Sequence, residues 1–412
     1  MFSKTISPLG RQISKTDILL VLLLILVSSL SSPITNSNYF FVSCFLFAVF
    51  CFLRSRLSIE RGIVFFTIGY VLLTSAYLLK FGYIETLASL RFLVKIYFAY
   101  LVMRITGIRF FEIFEKIVYF LSIVSLIIFG LQMIVPDIVF QINDGVMQLF
   151  PILKDQEGFR NDSWIIFNFN NNGIDRNSGF MWEPGAFAAI LAITISVSLT
   201  RSNFKINRHL VICFIALITT FSTTGYLALG IVAIYMLLNI NKKYWIMAVP
   251  VVIGALYFIA NLNFISKKII SQYESRFDVI NYAGDYGELD VVSLGRFGSM
   301  MADIEDFKKH YLIGIGLQNK EQTQSVYNEL LHTNGLTIYM VMFGSLGLLL
   351  LIYNLSKTFY IFTNHFKAKG YFLLASLILL VSFSNPVLVT PLFLSFQIGY
   401  IAFNKPNRLT LK

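Results

Sequence analysis

Ile117-Val-Tyr-Phe-Leu-Ser-Ile-Val-Ser-Leu-Ile-Ile-Phe-Gly-Leu-Gln-Met-Ile-Val135 runs for 19 residues without a charge. A helix of about 20 apolar residues crosses the hydrocarbon core of a bilayer, so this run predicts a membrane span. Runs of the same kind recur outward from it in both directions: 17–32, 39–53, 62–79 and 86–103 before it, then 186–200, 209–222, 226–240, 244–261, 336–353, 371–383 and 387–403 after it. Several are shorter than a full crossing, which requires their helices to extend beyond the run or to stand upright. The whole composition agrees: 56% of the 412 residues are hydrophobic and only 13% are charged, about half the charge of a soluble domain. A soluble enzyme, a disordered chain and a disulfide-stapled secreted module are thereby excluded. Cys44, Cys51 and Cys213 all lie inside apolar runs, with neither disulfide nor metal spacing, and are read as packing residues.

The formal charge of +11 is explained by topology before any nucleic-acid partner is needed. The first run follows Lys4, Arg11 and Lys15 and resembles a signal sequence, with small residues at Ser28 to Ser32 that suit cleavage. An uncleaved first span is expected instead, because it gives every short connection the right charge. With the N-terminus inside, segments 1–17, 54–61, 104–116, 201–208, 242–243, 357–369 and 405–412 face the cytoplasm. They hold 20 of the 33 Lys and Arg residues and only four acids, Asp17, Glu60, Glu112 and Glu115. The expected fold is therefore an all-α polytopic membrane protein: one integral membrane domain over 1–412, about 12 transmembrane helices and both termini cytoplasmic. Two external connections are long, 136–185 and 262–335, and they carry short interfacial helices. Long structured loops in compact proteins are commonly functional.

The spans are nearly free of ionisable groups, which argues against an ion-driven transporter. The exception is Arg91 and Lys95, four residues apart and so on one helical face. They either snorkel to head groups or form a basic pocket for a phosphorylated lipid. The first long loop ends in Arg176-Asn-Ser-Gly179-Phe-Met-Trp-Glu183-Pro184-Gly185. Pro184 suits the first position of a helix, with Glu183 at its N-cap. A carboxylate there is favoured by the helix dipole, and the free N–H groups of the same turn also attract an anion. The second loop contains Arg296 and then Met300, Met301, Ile304, Phe307 and Tyr311. That spacing predicts an amphipathic helix over 296–311 lying in the membrane interface on its apolar face. Gly314-Ile-Gly316 reads as a turn, and His332 and Asn334 stand at the membrane edge before the tenth span. The acidic pair Glu288-Leu-Asp290 has spacing compatible with a metal but reads as solvated, so no metal is assigned. Trp164, Trp182 and Tyr327 either stack on sugar faces or anchor the chain at the interface.

At these residues the sequence resembles the O-antigen/capsule polymerase family (Wzy-type) and the related O-antigen ligases. The resemblance covers most of the chain. Arg176-x-x-Gly179-x-x-x-Glu183-Pro184 is similar to the family's Arg-x-x-Gly…Glu-Pro segment, and Ser222-Thr-Thr-Gly225 to its Ser-x-Thr-Gly stretch, with Thr223 where many members have Arg. Arg296, the turn at Gly314–Gly316 and His332 match the second-loop pattern, with Asn334 one place later than in the common His-Asn pair. Arg91 corresponds to a basic residue often found in an early span. The resemblance implies cofactor-free, metal-independent glycosyl transfer on the outer face of the bacterial inner membrane. The donor is a glycan on undecaprenyl diphosphate, the acceptor the non-reducing end of a lipid-linked repeat unit, and a chain-length regulator protein is a possible partner. Arg91, Arg176 and Arg296 are then the diphosphate ligands, and His332 and Glu183 the candidate catalytic bases. The competing expectations are a ligase that hands the glycan to a lipid A core and a transporter of lipid-linked glycans.

Overall fold

The computed structural model describes residues 13–153, 162–169, 176–241, 243, 296–317 and 334–403. Among these residues the chain is helical, with no strand beyond a single antiparallel bridge between Ser163 and Asn168. Fourteen α-helices succeed one another among the described residues: α1 (Lys15–Ser29), α2 (Pro33–Asn36), α3 (Asn38–Arg54), α4 (Arg61–Phe81), α5 (Thr86–Thr106), α6 (Phe110–Ile134), α7 (Pro136–Leu149), α8 (Pro184–Arg201), α9 (Arg208–Thr219), α10 (Thr223–Asn239), α11 (Arg296–Lys309), α12 (Gly335–His365), α13 (Tyr371–Ser384) and α14 (Pro391–Ala402). Eleven of the twelve apolar runs fall on helices. The run 244–261 lies outside the described residues.

Among the described residues, four helical stretches are long and apolar enough to cross a membrane: Arg61–Phe81, Thr86–Ile134, Pro184–Arg201 and Gly335–His365. The second is α5 and α6 joined at Gly107, whose φ of 58° and ψ of −149° lie outside the helical region. Helices α3, α9, α10, α13 and α14 are apolar but run only 12 to 17 residues. Most of the shorter runs therefore did not extend to a full crossing. Local punctuation stops them: Asn207 caps the start of α9 through its side chain, and Pro391 opens α14.

Helix α8 is the axis of the bundle. It is buried along almost its whole length and packs against α6, α9, α10 and α13. Its sequence supplies the reason. Ala186, Ala188, Ala189, Ala192, Ser196 and Ser198 keep the surface low, so neighbouring backbones approach closely. A small second cluster, Phe129, Val139, Phe167 and Phe169, sits beneath the first loop, where α7 packs on α6.

One end of the bundle is held by ion pairs. Arg109 reaches Asp17 (3.6 Å), Arg104 reaches Glu60 (2.5 Å), and Arg201 reaches Glu112 (3.2 Å) and Glu115. His209 Nδ1 lies 2.8 Å from Glu115 Oε1. These are the four acids of segments 1–17, 54–61 and 104–116, each paired with a base from another segment of the same set. The Asn239 side chain holds Lys369 at that same end, accepting from its N–H (2.6 Å) and donating to its carbonyl (2.9 Å). The N-terminal segment and the connections 54–61, 104–116 and 201–208 are thus joined by ion pairs.

Helix α11 forms over Arg296–Lys309 with a polar inward stripe: Ser299, Asp303 and Asp306 are buried, Met301 is exposed, and Met300, Ile304 and Phe307 are half-buried. Thr337 Oγ1 of α12 donates to Asp303 Oδ2. Burying these groups beside a hydroxyl satisfies part of their hydrogen-bonding demand.

Candidate functional site

The N-terminal end of α8 is built by Glu183, Pro184 and Gly185. Pro184 occupies the first helical position and Glu183 the N-cap, as its sequence predicts, but the carboxylate makes no capping bond. It lies instead over Gly185, where an added Cβ would meet Glu183 Oε1 at 3.3 Å and Asn385 Nδ2 at 3.3 Å. Glu183 and Asn385 therefore flank one glycine at the head of the most buried helix, and a larger side chain would separate them.

The segment leading into α8 is strapped to the turn between α9 and α10. Arg176 Nε donates to the Thr220 carbonyl (3.0 Å) and Asn177 N–H to the Thr219 carbonyl (3.0 Å). Asn177 Nδ2 donates to Thr219 Oγ1 (3.0 Å) and Ser125 Oγ (3.3 Å), while its Oδ1 accepts from Gly179 N–H (2.9 Å). Just beyond that turn, Ser222 caps α10 by accepting from Gly225 N–H (3.2 Å), and Thr224 bonds Ser384 at the end of α13. The Arg176–Glu183 and Ser222–Gly225 stretches, 46 positions apart at their starts, thus share one corner.

The start of α12 closes the same corner. Gly335 sits so tightly on Asn385 that a Cβ would overlap the Asn385 carbonyl oxygen. Asn334 caps α12, its Oδ1 accepting from the N–H groups of Leu336 and Thr337, both at 3.2 Å. Its Nδ2 is fully buried and makes no hydrogen bond with a described residue, and the buried Ser178 Oγ is in the same condition. Buried polar groups are normally satisfied, so two unsatisfied ones at one corner call for an explanation.

Of the expected site residues, Arg176 and Glu183 stand in this corner. Arg296 is the first residue of α11, whose Asp303 is tied through Thr337 to the start of α12. His332 lies outside the described residues, two positions before Asn334, as do Tyr327, Glu288 and Asp290. Arg91 is not in the corner. It is exposed in the second turn of α5, beside Phe92, whose ring lies 5.4 Å from that of Phe343 in α12, and it forms neither hydrogen bond nor ion pair with a described residue. Trp164 packs into the first loop's own core, 4.7 Å from the Phe169 ring, and Trp182 is tied by its N–H to the Ser29 carbonyl (3.2 Å). Both tryptophan side chains are half-buried, and the Trp182 bond is made by its backbone N–H.

Asn177, Asn385, Asp303 and Thr337 were not singled out in the sequence. Uncharged polar residues at span ends read as ordinary caps, and Asp303 sits in a helix whose apolar periodicity points the other way. The available signal was the burial cost of an aspartate within a helix expected to lie at an apolar interface. Among the described residues no three His, Cys, Asp or Glu side chains are grouped closely enough to hold a metal.

Neither a protein-family model nor a curated protein sequence matches this chain. Its class therefore rests on its own architecture, which among the described residues is helical with four stretches long and apolar enough to cross a membrane.

Proposed function

We propose that this chain is a polysaccharide polymerase of the inner membrane that transfers a glycan from undecaprenyl diphosphate to the non-reducing end of a lipid-linked repeat unit. The reading takes about twelve spans, both termini in the cytoplasm and the corner around Glu183 on the external face. The observation that carries it is the convergence at one end of the bundle. The stretch 176–185, the stretch 222–225 and the start of α12 were recognised separately in the sequence, and Asn385 and the Thr219–Thr220 turn draw them together.

The chemistry needs few groups. The acceptor hydroxyl oxygen attacks the anomeric carbon, the bond from that carbon to the diphosphate oxygen breaks, and undecaprenyl diphosphate departs with the electron pair. Departure of a diphosphate is assisted by positive charge placed where negative charge develops. Arginine suits that task because its planar fork binds phosphate in bidentate fashion. Arg176 and Arg296 are the ligands in this scheme, with Arg91 receiving the lipid diphosphate from the bilayer side. The acceptor proton goes to His332 or Glu183. His332 is the preferred base, with Glu183 and Asn385 orienting the acceptor.

The test is surface-glycan analysis in a strain lacking the chain and in strains carrying Arg176→Ala, Arg296→Ala or His332→Ala. Single repeat units on the lipid core support the polymerase. Polymer retained on undecaprenyl diphosphate points to a ligase, and unchanged long surface chains overturn both.

A further inference from the structure

Helix α12 contains a break at Gly344, and the turn after α11 fills it. In an uninterrupted helix the N–H of Ser345 would donate to the Val341 carbonyl and that of Leu346 to the Met342 carbonyl. Here both pairs are exchanged. Ser345 N–H donates to the Tyr311 carbonyl (2.8 Å) and Leu346 N–H to the Leu312 carbonyl (3.2 Å). The released carbonyls of Val341 and Met342 accept from Ile315 N–H and Gly316 N–H, each at 3.0 Å. Tyr77 of α4 pins the joint, its hydroxyl lying 2.7 Å from the Ile313 carbonyl and 2.9 Å from that of Met342.

Two glycines permit the insertion. Gly344 has φ 65° and ψ −167°, a conformation essentially confined to glycine. Gly314 has φ 77°, and a Cβ on it would lie 2.5 Å from the Val341 oxygen. A Cβ on Gly344 would overlap the Leu312 oxygen. Without the inserted turn, four backbone groups of α12 would be left open inside an apolar helix, a state a membrane does not tolerate. With Ser345 and Leu346 bonded back to Val341 and Met342, none would be.

We propose that α12 is a two-state helix. When the 296–316 unit is docked, α12 is broken at Gly344. When the unit leaves, α12 closes into one continuous helix by re-forming Ser345→Val341 and Leu346→Met342. Both states satisfy the same four backbone groups of α12, while undocking releases the Tyr311 and Leu312 carbonyls and the Ile315 and Gly316 N–H groups of the turn. Closure also has a length consequence. The 31 residues of α12 would span about 46 Å as one rod at 1.5 Å per residue, well beyond a core of about 30 Å. The break lets 335–343 turn aside, so closure would re-aim Asn334 and Thr337 and part the Thr337–Asp303 contact. Docking of the second-loop helix and the direction of the head of α12 are thus one coordinate. The device stands independently of the polymerase reading, because its readout is backbone protection rather than polymer.

The experiment is amide hydrogen exchange on the full chain in lipid nanodiscs, comparing the parent protein with Gly344→Ala, Tyr77→Phe and, as a control, Gly69→Ala, where an added methyl meets nothing within 4 Å. Gly344→Ala should accelerate exchange at 311–316 at least tenfold while Ser345 and Leu346 stay protected, because their N–H groups have moved to Val341 and Met342. Tyr77→Phe should give the same split with a smaller, several-fold change, and it decides the matter should Gly344→Ala fail to fold. Loss of protection at 311–316 and 345–346 together, or no change at either in Tyr77→Phe, overturns the two-state helix.

Discussion

The two ends of this bundle use polar residues in opposite ways. At one end the polar groups are charged and paired: Asp17, Glu60, Glu112 and Glu115 all meet Arg or His partners, and Glu115 is 2% exposed between Arg201 and His209. At the other end they are mostly asparagines and hydroxyls, Asn177, Ser178, Thr224, Asn334, Ser384 and Asn385, and two of their buried atoms make no hydrogen bond. The first set joins helices whose sequences are far apart through charged pairs. The second set gathers where 176–185, the Thr219–Thr220 turn and the start of α12 meet, and there Asn334 Nδ2 and Ser178 Oγ have no hydrogen-bond partner among the described residues. Uncharged buried polar atoms in that condition can take a ligand.

Substitutions at the two ends should separate these roles, the largest effect being on activity. Arg176→Ala, Arg296→Ala and His332→Ala should each lower surface polymer about 100-fold or more, the scale on which a transition-state charge contact acts, with the protein still in the membrane by immunoblot. Normal polymer from Arg176→Ala would erase the distinction between the ends. Next in size, Glu115→Ala should lower stability by about 1–3 kcal/mol by removing the hydrogen-bonded carboxylate shared by Arg201 and His209, with Glu112 still beside Arg201, read as a fall in Tm in detergent, while polymer made per folded molecule is unchanged. The double variant Glu115→Ala/Arg201→Ala should be less destabilised than the sum of its parts.

A smaller effect is expected for Asn177→Ala, which loses side-chain bonds to Ser125, Thr219 and Gly179 and should cost about 1–3 kcal/mol. Tm and polymer should fall together there, since the strap also positions Arg176. The smallest is Ser178→Ala. Removing a buried hydroxyl without a partner should change stability by less than about 1 kcal/mol. If polymer nevertheless drops while Tm holds, Ser178 binds the substrate, which would sharpen the contrast between the ends.

The helices were largely legible because apolar length is a local property. The run around Ile117–Val135 predicted α6, and Pro184 predicted the start of α8 to the residue. The ion pairs at the charged end were not legible, because which acid meets which base depends on contacts between helices distant in the chain. Nor was the polar contact of α11: Met300, Met301, Ile304, Phe307 and Tyr311 carry the helical period of an apolar face, whereas the Asp303–Thr337 bond on the opposite face is made across 34 residues. The corner at Glu183 was legible in part. Its charged members stood out in the sequence, whereas Asn385 and Asn177 matter through what they touch. The break in α12 was invisible for the same reason: Gly344 inside an apolar run reads as an ordinary residue of a membrane helix.

Sequence alone determined that this chain is a helical membrane-type protein, where most of its helices lie and which connections share an end. These follow from hydrophobic length and charge, both of which act through the nearest residues and the surrounding solvent. Tertiary structure decided which helix is central, which face of α11 turns inward, where α12 is broken, and which uncharged polar groups gather beside Glu183. Those outcomes depend on contacts between residues distant in the chain, where small side chains let backbones meet and a hydrogen bond in a low-dielectric interior is worth enough to choose among packings that hydrophobicity leaves equal.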